Sequence, residues 1–333
     1  MKPTLAVTGG AGFVGINFVI QALQAGYRVV VFDYEDRLER FKYSGLLESC
    51  DIEFHSINLT NDFKIPRETQ AFVHFAALPH VDYSLYEPKE VISNNILSLL
   101  NVLQNAISCQ IPVLFTSSVE VYGGNQGDLL TEGSKFNPLS PYAASKVGCE
   151  AIINSYRAAY DLTATTIRLT NLYGPWQAPD RIVPRLITQT LSGHQCEIDQ
   201  GRIRDFIHVK DAVDALIKVL EKGVWNETFN ICSSIGTSNF ELAEMIYKVS
   251  GNEMRFLCTS DIREKDGRGM ALVSCFQKLH DVTGWFPTIS LENGIQDTYQ
   301  WYKCNFNWWQ LFKPNIASNR NTPHFIVDFT RSL

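Results

Sequence analysis

The sequence predicts an α/β architecture, a doubly wound parallel sheet with a smaller C-terminal α/β unit. Two patterns carry that reading. Short apolar runs rich in β-branched and aromatic residues alternate with longer amphipathic stretches, as strands joined by crossover helices do. The first apolar run leads straight into Gly9, Gly12 and Gly15, spaced Gly-x-x-Gly-x-x-Gly, a turn through which backbone closely approaches a ligand. At 333 residues the chain can bury a large core and is expected to divide. Residues 1–172 are expected to form the first unit, with part of 204–235 returning to it. Residues 173–303 are expected to form most of the second, and residues 304–333 an extension.

Thr4-Leu5-Ala6-Val7-Thr8 reads as a buried strand, and the glycine turn after it aims a helix N-terminus at a pyrophosphate. That helix is expected over residues 14–25, with Gly26 as its stop. Arg28-Val29-Val30-Val31-Phe32-Asp33 is the second strand, and Asp33 at its end is placed to accept hydrogen bonds from adenosine ribose hydroxyls. Strand, glycine turn, helix, strand and acid in this order make a Rossmann dinucleotide fingerprint. A carboxylate at that point repels a 2′-phosphate and so favours NAD over NADP, a preference that Arg37 and Arg40 close by oppose. Residues 72–77 read as a strand, followed by a loop carrying His80 and Asp82. A long helix is expected over 91–108, then a strand over 112–118 whose polar end opens toward the cofactor.

Pro141 suits a first helical turn, and Ala143 and Ala144 favour helix after it. Four-residue spacing then puts Tyr142 and Lys146 on one helix face. An ammonium held near a phenol stabilises the phenolate, which lets Tyr142 act as a base near neutral pH rather than near the usual value of about 10. This helix is expected to run to about Tyr160, with another strand at 165–169. Beyond Tyr173-Gly174-Pro175 the pattern is less regular and richer in turns, with a return to the sheet expected around 204–209. In the extension, Trp308, Trp309 and Phe312 show no clear period and read as an arm packed on the body or on a partner.

Hydrophobic residues make up 45% of the chain and charged residues 19%, which excludes a disordered chain. A formal net charge of -6 argues against nucleic acid as the main partner. The eight cysteines are scattered with no C-x-x-C pair, a pattern of reduced cytosolic thiols rather than a metal site or a disulfide framework. Met1-Lys2-Pro3 leads straight into the first strand without a signal peptide, and no apolar run approaches a membrane span, so a cytoplasmic location is expected.

Five segments, in order, carry a resemblance to a known family. They are residues 8–15, Ser117-Ser118-Val119-Glu120-Val121-Tyr122-Gly123, residues 140–146, Arg168-Leu169-Thr170-Asn171-Leu172-Tyr173-Gly174-Pro175, and residues 204–211. On these the chain resembles an extended short-chain dehydrogenase/reductase of the nucleotide-sugar epimerase/dehydratase type. The resemblance runs from Thr8 to about Tyr302. It implies an NAD that is reduced and reoxidised within each turnover, and a nucleoside-diphosphate sugar as substrate. It implies Tyr142 as the base that takes a sugar hydroxyl proton, with Lys146 and Ser118 supporting it. The cofactor contacts it implies fall on Gly9, Gly12, Phe13, Val14, Gly15, Asp33, Asn58, Leu59, Phe75, Ala76, Ala77, Asn95 and Thr116, besides Tyr142 and Lys146. Asn171, Arg204 and Arg263 fall where the family grips the diphosphate, a task that suits a planar guanidinium fork. His80 is a candidate for lining the sugar site, and His208 reads as a support of the fold. A homodimer is expected through the helices at 91–108 and 142–160.

The reaction subtype turns on Ser118-Val119-Glu120. The 4,6-dehydratases of the family usually carry Thr-Asp-Glu here, with the aspartate as acid for the departing hydroxyl and the glutamate as C5 base. This chain keeps Glu120 and has Val119 in place of the aspartate, a pattern that also resembles a 5,6-eliminating dehydratase of an N-acetylhexosamine nucleotide. Val119 neither donates nor accepts a proton. The expectation is a dehydratase with Glu120 as candidate C5 base, possibly a 5,6-elimination on a UDP-N-acetylhexosamine. A 4-epimerase and a uronate decarboxylase are alternatives within the family. A non-catalytic NAD-binding scaffold is the rival from another class, and the presence of both Tyr142 and Lys146 argues against it.

Overall fold

The computed structural model describes residues 2–125, 127–199, 202–252, 256–259 and 271–312. Its strands are β1 (Thr4–Thr8), β2 (Arg28–Asp33), β3 (Ile52–Ser56), β4 (Thr69–His74), β5 (Val113–Ser118), β6 (Ala164–Leu169), β7 (Asn171–Tyr173), β8 (Cys196–Asp199), β9 (Ile203–His208), β10 (Thr228–Ile231), β11 (Gly236–Ser238) and β12 (Phe256–Thr259). Seven of them make one parallel sheet in the order β10-β6-β5-β4-β1-β2-β3. β1 and β5 are buried along their whole length, which is why they read as continuous apolar runs rather than as alternation. Helices Phe13–Gln24 and Val209–Glu221 cover one face, burying Phe18, Val19, Val213 and Leu216. Helices Pro88–Cys109 and Pro141–Tyr160 cover the other with Leu99, Leu103, Cys149 and Ile153.

The strand order reverses between β1 and β4. In such sheets the crevice beyond the carboxyl ends of the strands at the reversal is the ligand site. The glycine turn, the segment after β4 and the polar end of β5 all open there.

The second lobe holds a three-stranded sheet, β11-β9-β7, and the parallel pair β12-β8. The expected return to the large sheet at 204–209 is corrected here. Ile203–His208 pairs with β7 and β11, and the return comes later, through Thr228–Ile231 against β6. The apolar alternation of a short strand gives its conformation but not its partner. The expected strand at 72–77 likewise stops at His74, leaving Phe75, Ala76 and Ala77 in the loop. In the extension, a short helix Phe306–Gln310 carries Trp308 and Trp309, which with Phe312 join the core of the second lobe beside Tyr173, Ile187 and Tyr302. Among the described residues no helix is long and apolar enough to cross a membrane.

His74 ends β4 and is 1% exposed. Its Nδ1 lies 2.6 Å from the Thr8 hydroxyl, and burial, aided by the Lys146 charge, pushes its imidazolium down to about 3. A histidine that charges at about 6.5 in the unfolded chain and only near 3 in the fold holds fewer protons when folded. Stability is therefore complete above about pH 6.5 and is lost as pH falls from there, at about 1.4 kcal/mol per unit from this group. Thermal melts between pH 7 and 5 are expected to show a falling Tm, and His74→Asn a shallower fall from a lower start. An unchanged slope in the variant would assign the acid sensitivity to other groups.

Candidate active site

The glycine turn is built for close approach. Gly9 has φ +71°, and a Cβ on it would stand 2.6 Å from the amide nitrogen of Ala76. A Cβ on Gly15 would collide with the carbonyl of Gly9, so the first turn of helix Phe13–Gln24 packs directly on the loop. Asp33 lies buried at the end of β2. Its Oδ2 accepts from Ala11 N at 2.9 Å and its Oδ1 from Tyr34 N at 2.8 Å. Burial raises its pKa, against the pull of Arg37. A tight turn at a helix N-terminus with a tethered carboxylate at the next strand end fits the phosphates and ribose of NAD.

The other expected cofactor residues lie after β3, after β4, on helix Pro88–Cys109 and on β5. Phe75 N donates to Thr8 O, which lays Phe75 and Ala76 against the glycine turn. Asn58 and Leu59 follow β3; the Asn58 side chain accepts from the Thr60 amide and hydroxyl. Asn95 is a bridge: its Oδ1 accepts from Leu78 N at 2.8 Å and its Nδ2 donates to the Ser145 hydroxyl at 3.0 Å. It thereby ties the loop after β4 to the helix of Tyr142. The Thr116 hydroxyl donates to the carbonyl of His74.

Tyr142 and Lys146 are 7% and 4% exposed on the inner face of helix Pro141–Tyr160, whose start is capped by the Ser140 hydroxyl. Lys146 Nζ donates to the Thr116 carbonyl at 2.8 Å. Burial pushes the Tyr142 phenol up to about 12, opposed by a hydrogen bond from Ser118 and by the charge of Arg181, and reinforced by the charge of Glu120. The ammonium is engaged by a carbonyl, and Ser118 and Arg181 are the groups that favour the phenolate.

Ser118 ends β5 and caps the short turn Val119–Tyr122, its Oγ accepting from Glu120 N at 3.2 Å. That turn buries Val119 and leaves Glu120 half-buried, with its carboxylate near enough to Tyr142 to act on its charge. Ser118, Glu120, Tyr142 and Lys146 are therefore brought together. Sequence reasoning missed two neighbours. Asp180 is buried and its Oδ2 lies 3.0 Å from Nε2 of His80. Burial would raise the Asp180 carboxyl, but His80, and after it Arg181, hold it below the usual range. Arg181 donates to the Pro79 carbonyl at 3.0 Å and turns its charge on Tyr142. In the sequence, Asp180 and Arg181 are an ordinary charged pair after a turn-rich segment, with no motif to mark them.

Asn171 and Arg204 stand on adjacent strands of the smaller sheet, β7 and β9. Asn171 Nδ2 donates to the Asp205 carbonyl at 3.2 Å, and Arg204 Nη1 to the carbonyl of Ile203 at 2.9 Å. Arg263 lies outside the described residues. His208 caps helix Val209–Glu221 through Lys210 N.

Comparison with known proteins agrees with this geometry. Residues 5–232 match the NAD dependent epimerase/dehydratase family. A dTDP-glucose 4,6-dehydratase of Mycolicibacterium smegmatis is 28% identical, over 94% of this chain and 97% of that protein. One from Neisseria gonorrhoeae is 30% identical, over 91% and 96%. Among solved structures, the dTDP-glucose 4,6-dehydratase DesIV from Streptomyces venezuelae, crystallised with NAD, superposes with a TM-score of 0.86 at 28% identity, over 93% of this chain and 100% of that one. A UDP-glucose 4-epimerase from Thermotoga maritima, with UDP-glucose, gives 0.80 at 25% identity, over 91% and 99%.

Tyr142→Phe keeps the buried ring and removes only the hydroxyl that Ser118 addresses. It is expected to leave fold and NAD binding intact and to lower turnover by about 100-fold or more, the usual loss for a general base. More than a tenth of wild-type activity in the variant would exclude Tyr142 as the base.

Proposed function

The chain belongs to the NAD dependent epimerase/dehydratase family, and we propose that it is a nucleotide-sugar dehydratase working through a transient 4-keto sugar. The observation that carries this reading is Glu120, a carboxylate presented by the Ser118 cap beside the buried Tyr142. Tyr142, hydrogen-bonded to Ser118, takes the proton of the C4 hydroxyl. When bound, NAD supplies the nicotinamide that accepts hydride from the sugar and returns it. A ketone at C4 acidifies the C5 proton, and Glu120 is the base poised to remove it. Elimination also needs a proton for the departing hydroxyl. Val119 carries none, and His80, oriented by Asp180, is the group offered for that step. Asn171 and Arg204, with Arg263, are the proposed grip on the nucleoside diphosphate. The activity named for the relatives favours a dTDP-hexose and the 4,6-dehydratase reaction over a UDP-N-acetylhexosamine that keeps a 5,6 double bond.

A second reading, a 4-epimerase, is favoured by the likeness to the UDP-glucose 4-epimerase fold and by the absence of a second carboxyl at residue 119. In that case Glu120 only hydrogen-bonds substrate.

The assembly we propose is a cytoplasmic homodimer. Helices Pro88–Cys109 and Pro141–Tyr160 lie side by side on one face of the sheet, and Ile92, Leu97 and Tyr160 stand exposed on them. Doubling both helices across a two-fold axis would cover these residues. Light scattering at micromolar concentration is expected to give the mass of two chains, and a monomer would reject the assembly.

Glu120 separates the two chemistries. In ordinary water the wild-type product is expected to have lost 18 mass units, that is, one water. In heavy water it is expected to carry solvent deuterium at C5 or C6 and to be heavier by one unit for each deuterium. Glu120→Gln keeps shape and one acceptor but cannot take a proton. The variant should therefore still reduce NAD and stall at the 4-keto stage. A 4-epimer free of deuterium, with only a mild defect in the variant, would reject the dehydratase and promote the epimerase. Loss of carbon dioxide from a uronate would reject both.

A further inference from the structure

Arg40 is a buried cation that the chemistry above leaves without a task. It sits in the short helix Leu38–Tyr43 after β2 and is 6% exposed. Its guanidinium carbon lies 4.6 Å from the centre of the Phe312 ring, a stacking contact that fixes the plane of the fork. Nε and Nη2 are buried with no hydrogen-bond partner among the described residues. Buried guanidinium donors are ordinarily paired, because leaving them unpaired forfeits their hydration without return.

The surroundings indicate what the fork faces. Its electrostatic neighbours include Arg37, Asp33, Asp180 and Asp36, with Asp36 and Arg37 in the turn just before its helix. Asp33 marks the adenosine-ribose end of the crevice. Asp180 marks the other end, since it holds His80 and adjoins Arg181, whose charge reaches Tyr142. Arg40 therefore feels the acids at both ends of this path, the one at the adenosine-ribose end and the one that holds His80. In a dinucleotide laid along that path, the group between them is the pyrophosphate.

We propose that Arg40 is a ligand of the NAD pyrophosphate, its fork held flat by Phe312 and its Nε and Nη2 donating to phosphate oxygens. The proposal rests on NAD as cofactor and adds a charged clamp to the backbone cradle of the glycine turn. Phosphate oxygens supply the paired acceptors that a planar fork matches, and their negative charge offsets that of the buried guanidinium. The same chemistry is present in the diphosphate of a nucleotide sugar, and the proximity to Asp33 assigns Arg40 to the cofactor.

Arg40→Met keeps an unbranched apolar stem but removes every donor, along with the guanidinium that stacks on Phe312. Titration calorimetry of nucleotide-freed protein with ADP-ribose is expected to show about 10- to 100-fold weaker binding in the variant, the range for hydrogen bonds to a charged group. Adenosine, followed by ligand-observed NMR, should bind equally well to both proteins, and so should dTDP by calorimetry. Arg40→Lys, which keeps the charge without the fork, should fall between wild type and Arg40→Met. The ligand-free melting temperature of Arg40→Met should equal or exceed that of wild type, because an unpaired buried charge has gone. Unchanged ADP-ribose affinity overturns the proposal, as does an equal loss for adenosine or a lowered melting temperature, either of which marks Arg40 as structural. A loss confined to dTDP overturns the assignment to the cofactor. Wild-type protein that binds neither NAD nor ADP-ribose would instead remove the premise.

Discussion

Glu150 and Arg168 meet in the interior between the helix of Tyr142 and the central sheet, their side chains 6% and 5% exposed. Arg168 donates Nε to Oε1 at 3.0 Å and Nη2 to Oε2 at 2.7 Å, a two-pronged pairing across the helix–strand contact. The pair is not isolated. Ser117 Oγ donates to Glu150 at 2.6 Å, and Arg168 Nη1 donates to the Tyr122 hydroxyl at 2.7 Å, which donates in turn to Asn230. So one buried charge pair fixes the helix that bears Tyr142 and Lys146, the strand end that bears Ser118, and the turn that bears Glu120. Burying two charges is costly unless their remaining donors and acceptors are met, and here they are. Removing one partner would leave the other uncompensated, at about 3–5 kcal/mol for such pairs.

With its position fixed, the phenol of Tyr142 is governed by a contest between burial and charge. Burial makes the phenolate expensive and Glu120 opposes it, while Ser118 and Arg181 favour it. The balance in the protein lies with the neutral phenol. In the proposed reaction a positively charged nicotinamide near the ring would act on the same balance in the opposite sense and so would tie proton uptake to the oxidised cofactor. Such coupling suits a reaction in which hydride and proton leave the same carbinol. Lys146, tied to the Thr116 carbonyl, is fixed at the strand end.

The local parts of this arrangement were legible in the sequence because each is set by short-range rules. Gly9 and Gly15 are required by contacts within the turn, Asp33 by the end of a strand, and Tyr142 with Lys146 by the pitch of one helix. The large sheet followed from alternation of strands and helices. Partner choice was not legible: β9 looked like a strand of the large sheet, yet it pairs with β7 and β11, because pairing is decided by chain segments far away in sequence. Nor were Arg40, Asp180 and Arg181. A charged residue in a short helix or turn looks solvated, and only the packing of Phe312 over Arg40 and of His80 against Asp180 gives these groups a buried setting. Val119 was legible as a departure from the dehydratase pattern, but the contact of His80 with Asp180, on which the proposed acid rests, is set by the tertiary fold.

The same distant contacts explain how the second lobe is seated on the first. Asn17, in the helix that follows the glycine turn, donates to the Pro175 carbonyl at 2.9 Å, so the turn after β7 rests on the cofactor helix. Trp176 then packs edge-on against Trp301 and Trp308, with ring centres 5.1 and 5.6 Å apart, and Trp308 leads to Phe312 at 4.8 Å. Phe312 in turn closes on Arg40, and Tyr43 from the same helix meets Trp176. A continuous aromatic path thus joins both sides of the lobe contact, one end on the cofactor helix and the other on a guanidinium beside Asp33. Aromatic packing of this kind is rigid and has few alternative arrangements. The relation between the cofactor crevice and the smaller sheet with Asn171 and Arg204 is therefore set by the described part of the extension, residues 304–312, and not by the chain connection alone. An extension that reads as an arm is, in the fold, a wedge that holds the two halves of the site at a fixed separation.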